Sequence, residues 1–240
     1  MPAAAFANDI TRDGPTTFES RDGRRLWLDF AMETVTSLRH GTPAAGRLAR
    51  AVCDARSGAI LSSADFGRLA DEDHLHIDLE TVASAKTILE APNAPAILIL
   101  PVSFHTLSAR KGRRDVTESL GAALKGRVML ELMDVDRGTP LSRLSEVGGV
   151  AGALGRGVLV RLSPGRDAAA AVKGYRPHGV TVEASGLGEG DSEMAAGMLA
   201  FAEQTRGAAP TVMVFGLPSE DFFAVAGVGG VTHASARRAA

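Results

Sequence analysis

The chain has 240 residues, 45% of them hydrophobic, a formal net charge of -2 and a pI near 6.3. That suits one large globular core and supplies no global field to recruit nucleic acid or an anionic membrane. A lone cysteine, Cys53, excludes an internal disulfide, and no apolar run approaches the roughly 20 residues of a membrane helix.

The N-terminus lacks the basic region and apolar stretch of a secretory signal, so the expected address is the cytoplasm. Residues 1–22 mix Ala, Asp, Thr, Pro and Gly without periodicity and read as a flexible lead-in. Residues 23–233 form one domain, because no Pro/Gly/Ser-rich linker or shift of composition divides them. Residues 234–240 read as a small, basic, frayed tail. One Trp, one Tyr and nine Phe leave little aromatic surface for stacking bases or sugars.

Short apolar runs bounded by turn residues predict strands at 26–32, 47–53, 97–103, 128–134, 157–162, 179–184, 211–216 and, more weakly patterned, 229–233. Several are nearly continuous (AILILPV, RVMLEL, GVLVRL, TVMVF), as strands buried on both faces of a parallel sheet require. Helix-like segments lie between them. Ser63 is the expected N-cap of one, and Asp78 of a long one ending at Glu90. Others are expected at 115–125, 140–154, 166–175, 189–206 and 219–225, the last capped by Ser219. Eight strands alternating with helices predict an α/β fold, a single-domain TIM-like (β/α)₈ barrel. An open doubly wound sheet is the alternative.

In such barrels the chemistry sits at the C-terminal strand ends. Glu131 and Glu183 are the carboxylates well inside strands there, with Asp134 at an edge. Two or three acids do not readily build a two-metal cage. No cofactor or metal is therefore expected.

The order of features resembles the EAL domain, the bacterial phosphodiesterase family that hydrolyses cyclic di-GMP. ILSSADFGRLADEDHLHIDLETV (60–82) is similar to the family's segment after the second strand. ILILPVSFHTL (97–107) resembles "VNVSP..L", and VMLELMD (128–134) resembles "LELTE". LGRGVLVRLSPG (154–165), YRPHGVTVEASG (175–186) and TVMVFGLPSED (211–221) stand where "LGVRIALDDFGTG", "LPVDTLKIDRSF" and "VVAEGVETEEQ" would. The resemblance covers roughly residues 25–233, and it implies an EAL-type barrel. It also implies loss of the catalytic set. The Glu of the signature triplet falls at Gly46, the third-strand Asn at Pro101 and the paired aspartates near Arg161–Ser163. The Lys falls at Thr181, the seventh-strand Glu at Phe215 and the last Gln at Thr232. Glu131 matches the fourth-strand Glu, Glu183 stands in for an Asp, and Arg50 matches the Arg that contacts a ligand phosphate in the family.

Each remnant also has a structural reading. Glu131 suits an ion pair with Arg161 on the next strand, since an unpaired buried carboxylate is costly. Arg50 suits a salt bridge. His74 and His76, an HxH pair among acids, lack further ligands for zinc. His105, His178 and His233 are scattered. The basic run Arg110, Lys111, Arg113, Arg114 is a candidate protein-binding patch or a solvated loop. Residues 186–190 read as a flexible connection, and 163–165 offer at most weak anion binding. Cys53 and Ser103 have no evident catalytic partners.

The sequence thus predicts a catalytically inactive EAL-like protein that regulates by binding another protein. A metal-independent cyclic di-GMP receptor and a barrel enzyme of different chemistry are the alternatives. Homodimer formation through barrel helices is common in the family.

Overall fold

The computed structural model describes residues 16–136, 138–165 and 167–237. Among the described residues nine strands form one sheet in sequence order. They are β1 (Thr16–Glu19), β2 (Arg25–Ser37), β3 (Thr42–Asp54), β4 (Leu98–Ser103), β5 (Val128–Met133), β6 (Gly157–Arg161), β7 (Gly179–Glu183), β8 (Thr211–Leu217) and β9 (His233–Ala236). A pairing of β2 with β9 closes strands β2 to β9 into a barrel. The helices are α1 (Ser63–Phe66), α2 (Asp71–Glu90), α3 (Phe104–Ser108), α4 (Arg110–Leu124), α5 (Leu141–Leu154), α6 (Asp191–Thr205) and α7 (Phe222–Gly229). None of the described helices is long and apolar enough to cross a membrane.

The expected α/β barrel is present, with one departure. From β3 to β9 every neighbour is parallel, whereas β2 runs antiparallel to both β3 and β9. A tight turn joins β2 to β3, in which Gly41 (φ 63°) donates its N–H to the Ser37 carbonyl. So short a connection can join only antiparallel strands. Strand–helix alternation therefore begins at β3, with a 3₁₀ turn in place of the helix between β6 and β7.

Two apolar layers explain the continuous runs. Outside the barrel wall, Leu98, Leu100, Val102, Val128, Leu130 and Leu132 pack with helical residues such as Val82, Ile88, Leu120, Leu144 and Phe201. Inside, Val35, Ala45, Ile99, Leu159, Met213 and Phe215 fill the barrel. Burying each such side chain contributes about 1.5–3 kcal/mol, and all six residues of β4 are buried.

Strands β2 and β3 overshoot the wall. They pair along nearly their whole length, but β4 meets β3 only at Gly46 and Arg47, and β9 meets β2 only at Val35 to Ser37. Their far ends, together with β1, form an overhang. One face of it packs Leu26, Leu28 and Val52 onto Leu69 and Ile77.

Several expected boundaries shift. Residues 1–15 lie outside the described part, but Thr16–Glu19 of the supposed lead-in is a strand paired with β2. The supposed tail likewise supplies β9, because Gly230 (φ 98°) caps α7 and moves the last strand from 229–233 to 233–236. Residues 238–240 are not described. Ser62, not Ser63, caps α1 by accepting from the Asp65 N–H. Helix α2 starts at Asp71, seven residues before the expected cap at Asp78. There the Asp73 carboxylate accepts the N–H groups of Ala70 and Arg21, and three acids favour the positive helix end. Ser219 instead bonds Asp221, and α7 starts at Phe222. The described residues of the segment 166–175 hold a 3₁₀ turn, Ala168–Val172, in place of the expected helix.

Candidate functional site

At the C-terminal end of the barrel the interior turns from apolar to charged. Side chains alternate across a strand, so Arg47, Glu33, Glu131, Arg161, Thr181, Glu183 and Ser235 come together from β3, β2, β5, β6, β7 and β9. Arg47 donates to Glu33 Oε2 at 3.0 Å and to Glu183 Oε1, and its Nε lies 3.6 Å from Glu131 Oε2. Arg161 grips Glu131 with a fork, Nε to Oε1 at 3.1 Å and Nη2 to Oε2 at 2.8 Å. The same Nη2 lies 3.0 Å from Glu183. Thr181 donates to Glu131 at 2.5 Å, and Ser235 to Glu33 at 2.6 Å. The Arg47 guanidinium lies 4.3 Å from the centre of the Phe215 ring.

The charges settle one another. Burial alone would raise the carboxyl pKa of Glu131, but Arg161 and Arg47 hold it down to about 2. Burial works against the Arg47 cation, yet Glu131, Glu183 and Glu33 raise its pKa above the ordinary value. Glu131 and Arg47 are fully enclosed, while Glu183 and Arg161 reach the rim.

The anticipated partnership of Glu131 with Arg161 is present. The structure also unites Glu131 with Glu183, through Arg47. Arg47 and Glu33 escape a reading based on motif order, which lays the triplet Glu on Gly46. A Cβ on Gly46 would meet Met32 and Pro95, on the face opposite that of Arg47, so Arg47 is the residue that enters the barrel. The available signal was parity along β3, where Ala45 and Arg47 share a face. Pro101 and Phe215, at two other lost positions, are buried.

Arg50 points to the opposite face of β3. Its Nη1 donates to Asp78 Oδ1 at 2.5 Å and to Thr81 Oγ1 at 3.1 Å, and its side chain is 3% exposed. Asp78 also accepts the Ser103 N–H, which ties α2 to the end of β4. His74 and His105 lie near this pair with ring centres 5.8 Å apart, and Phe66 packs edge-on to His74. Burial lowers the pKa of His74 and raises that of Asp134, a left-handed residue at φ 59°. His76 instead stacks near Phe18.

The basic run lies at the start of α4. Arg113 pairs with Glu146 at 2.7 Å and Arg114 with Asp115 at 2.8 Å, so two of its four cations are met by neighbouring acids. Arg110 and Lys111 line the same helix start.

Divalent cations need oxygen ligands with room between them. Here the three clustered carboxylates already embrace two guanidiniums, whose positive charge would repel a cation from the same space. Among the described residues no group of three or more His, Cys, Asp or Glu could hold a metal. The donor set of the mouth does not fit a two-metal centre.

No protein-family model matches the sequence, and no curated protein does. Solved structures do. The Klebsiella pneumoniae BlrP1 manganese/cy-diGMP complex matches with a TM-score of 0.63 at 15% identity over 93% of this chain. The FimX EAL domain from Pseudomonas aeruginosa bound to c-di-GMP matches at 0.59 and 14% identity, covering 87% of this chain and 88% of that one. An EAL domain protein from Listeria monocytogenes gives 0.62 at 11% identity, covering 87% and 85%. The fold is that of an EAL domain. This EAL-type barrel spans 57% of the BlrP1 chain, and its likeness to all three rests on architecture, not on shared residues.

Proposed function

We propose that this EAL-type barrel works in cyclic di-GMP signalling without hydrolysing the nucleotide, as a regulatory module that binds another protein. The observation that carries the reading is the closed network of Arg47 and Arg161 with Glu33, Glu131 and Glu183. Hydrolysis by two metals needs free carboxylates and an activated water. In this mouth guanidiniums occupy the carboxylates instead.

A surface suited to a protein partner lies on α7. Its sequence, FFAVAGVG, carries no charge, yet Ala226 is its one buried residue. A helix apolar all round is normally buried. Val228 is 91% exposed, and Leu199 of α6 lies against Gly229 beside it. Contiguous exposed apolar area of this kind marks interaction sites. It fits the role better than the partly neutralised basic run.

Two measurements test the proposal. Incubating the protein with cyclic di-GMP and Mg²⁺ or Mn²⁺ should give no linear product by chromatography, and metal-dependent turnover would overturn the inactive reading. Affinity capture from the native host should recover a partner that the variant Val228→Asp loses; equal recovery by both would remove α7 from the role.

A second reading is a metal-independent cyclic di-GMP receptor, favoured by Arg50, whose Nη2 has no hydrogen-bond partner among the described residues. Calorimetric titration with the nucleotide decides it, because absence of heat at tens of micromolar, about the range of a serviceable receptor, excludes such a role.

A further inference from the structure

The overhang carries a cavity of about 480 Å³, open to solvent and lined by Thr17, Arg25, Trp27, Ala55 and Arg56. It is far from the charged mouth. Glu33 lies six positions beyond Trp27 along β2, roughly 20 Å of strand at the usual rise. Its volume lies in the range of roughly 300–1,000 Å³ typical of small-molecule sites.

The cavity has a firm frame. Thr17 and Trp27 face each other across the β1–β2 ladder, and Trp27 faces Cys53 across β2–β3. The Ala55 N–H donates to the Arg25 carbonyl at 2.8 Å, which ties the end of β3 to the start of β2. Asp54 Oδ1 accepts the N–H groups of Arg56 and Ser57, and Gly58 (φ 71°) closes that turn. Arg56 is thus presented by a structured turn.

The two cations differ from those elsewhere at this end of the molecule. Arg47, Arg50 and Arg161 each meet a carboxylate. Arg25 and Arg56 are exposed and have no ion-pair partner among the described residues. Glu19 stands opposite Arg25 in the ladder but forms no ion pair with it. Two unpaired like charges therefore line one cavity beside a half-buried indole. An anion would relieve their repulsion, guanidiniums match phosphate or carboxylate oxygens in pairs, and an indole face offers a flat stacking surface worth about 1–3 kcal/mol to a planar ring.

We propose that this cavity is a binding site for a small anion bearing a flat aromatic ring, of which a nucleoside monophosphate is the simplest kind. The ring stacks on Trp27, and Arg25 and Arg56 hold the anionic group. The site is independent of the barrel mouth and of α7, so its failure would leave the proposed protein-binding role untouched.

The protein supplies its own reporter, because Trp27 is the single tryptophan of the chain. Titration of the full chain with AMP should change the Trp27 emission saturably. Adenosine and inorganic phosphate, each carrying half of the recognised chemistry, should bind at least about tenfold more weakly. The double variant Arg25→Ala/Arg56→Ala, altered only at exposed positions, should lose the saturable response. Calorimetry with Trp27→Ala should show the same loss without relying on fluorescence. The proposal is overturned if AMP gives no saturable signal by either method up to about 5 mM, the limit of weak binding. It is equally overturned if the arginine variant or Trp27→Ala binds AMP as the unaltered chain does, or if phosphate alone binds as well as AMP.

Discussion

Strands β2 and β3 lead two different lives along their length. Within the barrel they deliver Glu33 and Arg47 into a space where each charge finds an opposite within about a hydrogen bond's reach. On the overhang the same two strands and the turn after them deliver Arg25 and Arg56, which find none among the described residues. Enclosure explains the difference. A buried charge without a partner is too costly to persist, whereas an exposed one keeps its water and stays available. On these two strands the charges inside the barrel are paired and serve structure, whereas Arg25 and Arg56 on the overhang keep their water.

That contrast can be broken from the inside. The largest effect should come from Glu131→Gln, which leaves two guanidiniums facing a neutral amide in the enclosed mouth. A loss of roughly 3–5 kcal/mol is expected in urea unfolding. Acid should do the same by degrees. The pKa of Glu131 falls from its ordinary 4.5 to about 2 in the folded state, so its contribution is complete above pH 4.5 and fades as the pH drops to about 2. Urea midpoints across that window should fall steeply in the unaltered protein and less in Glu131→Gln. Next comes Asp78→Asn, which weakens a charged hydrogen bond to Arg50 but keeps an acceptor; about 2 kcal/mol is expected by the same measurement. Gly216→Ala should cost less, roughly 1–2 kcal/mol. Gly216 sits at φ 70°, and its new methyl would lie near Glu183 Oε2 and the Arg237 side chain. At the other end of the scale, Arg25→Ala/Arg56→Ala should leave the thermal midpoint unchanged. A clear drop there would show that the overhang arginines are structural after all.

Much of the architecture was legible in the residues because parallel strands buried on both faces read as unbroken apolar runs. AILILPV could be little else once flanked by turn residues. The β2–β3 hairpin was harder. Over its 13 residues β2 alternates buried with less buried positions, and the 13 residues of β3 open on exposed ones, so only the most apolar part of each stood out, and the tight turn gave no reason to reverse direction. Caps were misplaced where a tertiary contact decided the outcome. Asp78 has the right side chain for a helix start, but its position is fixed by Arg50 and the Ser103 N–H, contacts distant in sequence. At the mouth, the pairing of Glu131 with Arg161 followed from adjacent strands. Arg47 did not, because motif order and strand parity disagree by one residue, and only parity tells which side chain enters the barrel. The overhang cavity was hidden for another reason. A single Trp in 240 residues argued against aromatic recognition by count, and count does not tell that this indole lines one cavity with Arg25 and Arg56.

The closing seam has a consequence for how this protein comes into being. Strand β2 shuts the barrel by pairing Val35, Thr36 and Ser37 with Ser235, Ala234 and His233, and Ser235 reaches Glu33 across 202 positions of sequence. Everything from β2 through β9 must therefore leave the ribosome before the ring can close or the mouth network gain its last donor. Until then β2 can hold its hairpin with β3, but Glu33 faces an unfinished wall. Contacts so remote in sequence slow folding. The few residues of β9, easily mistaken for a loose end, are the latch on which a newborn barrel waits.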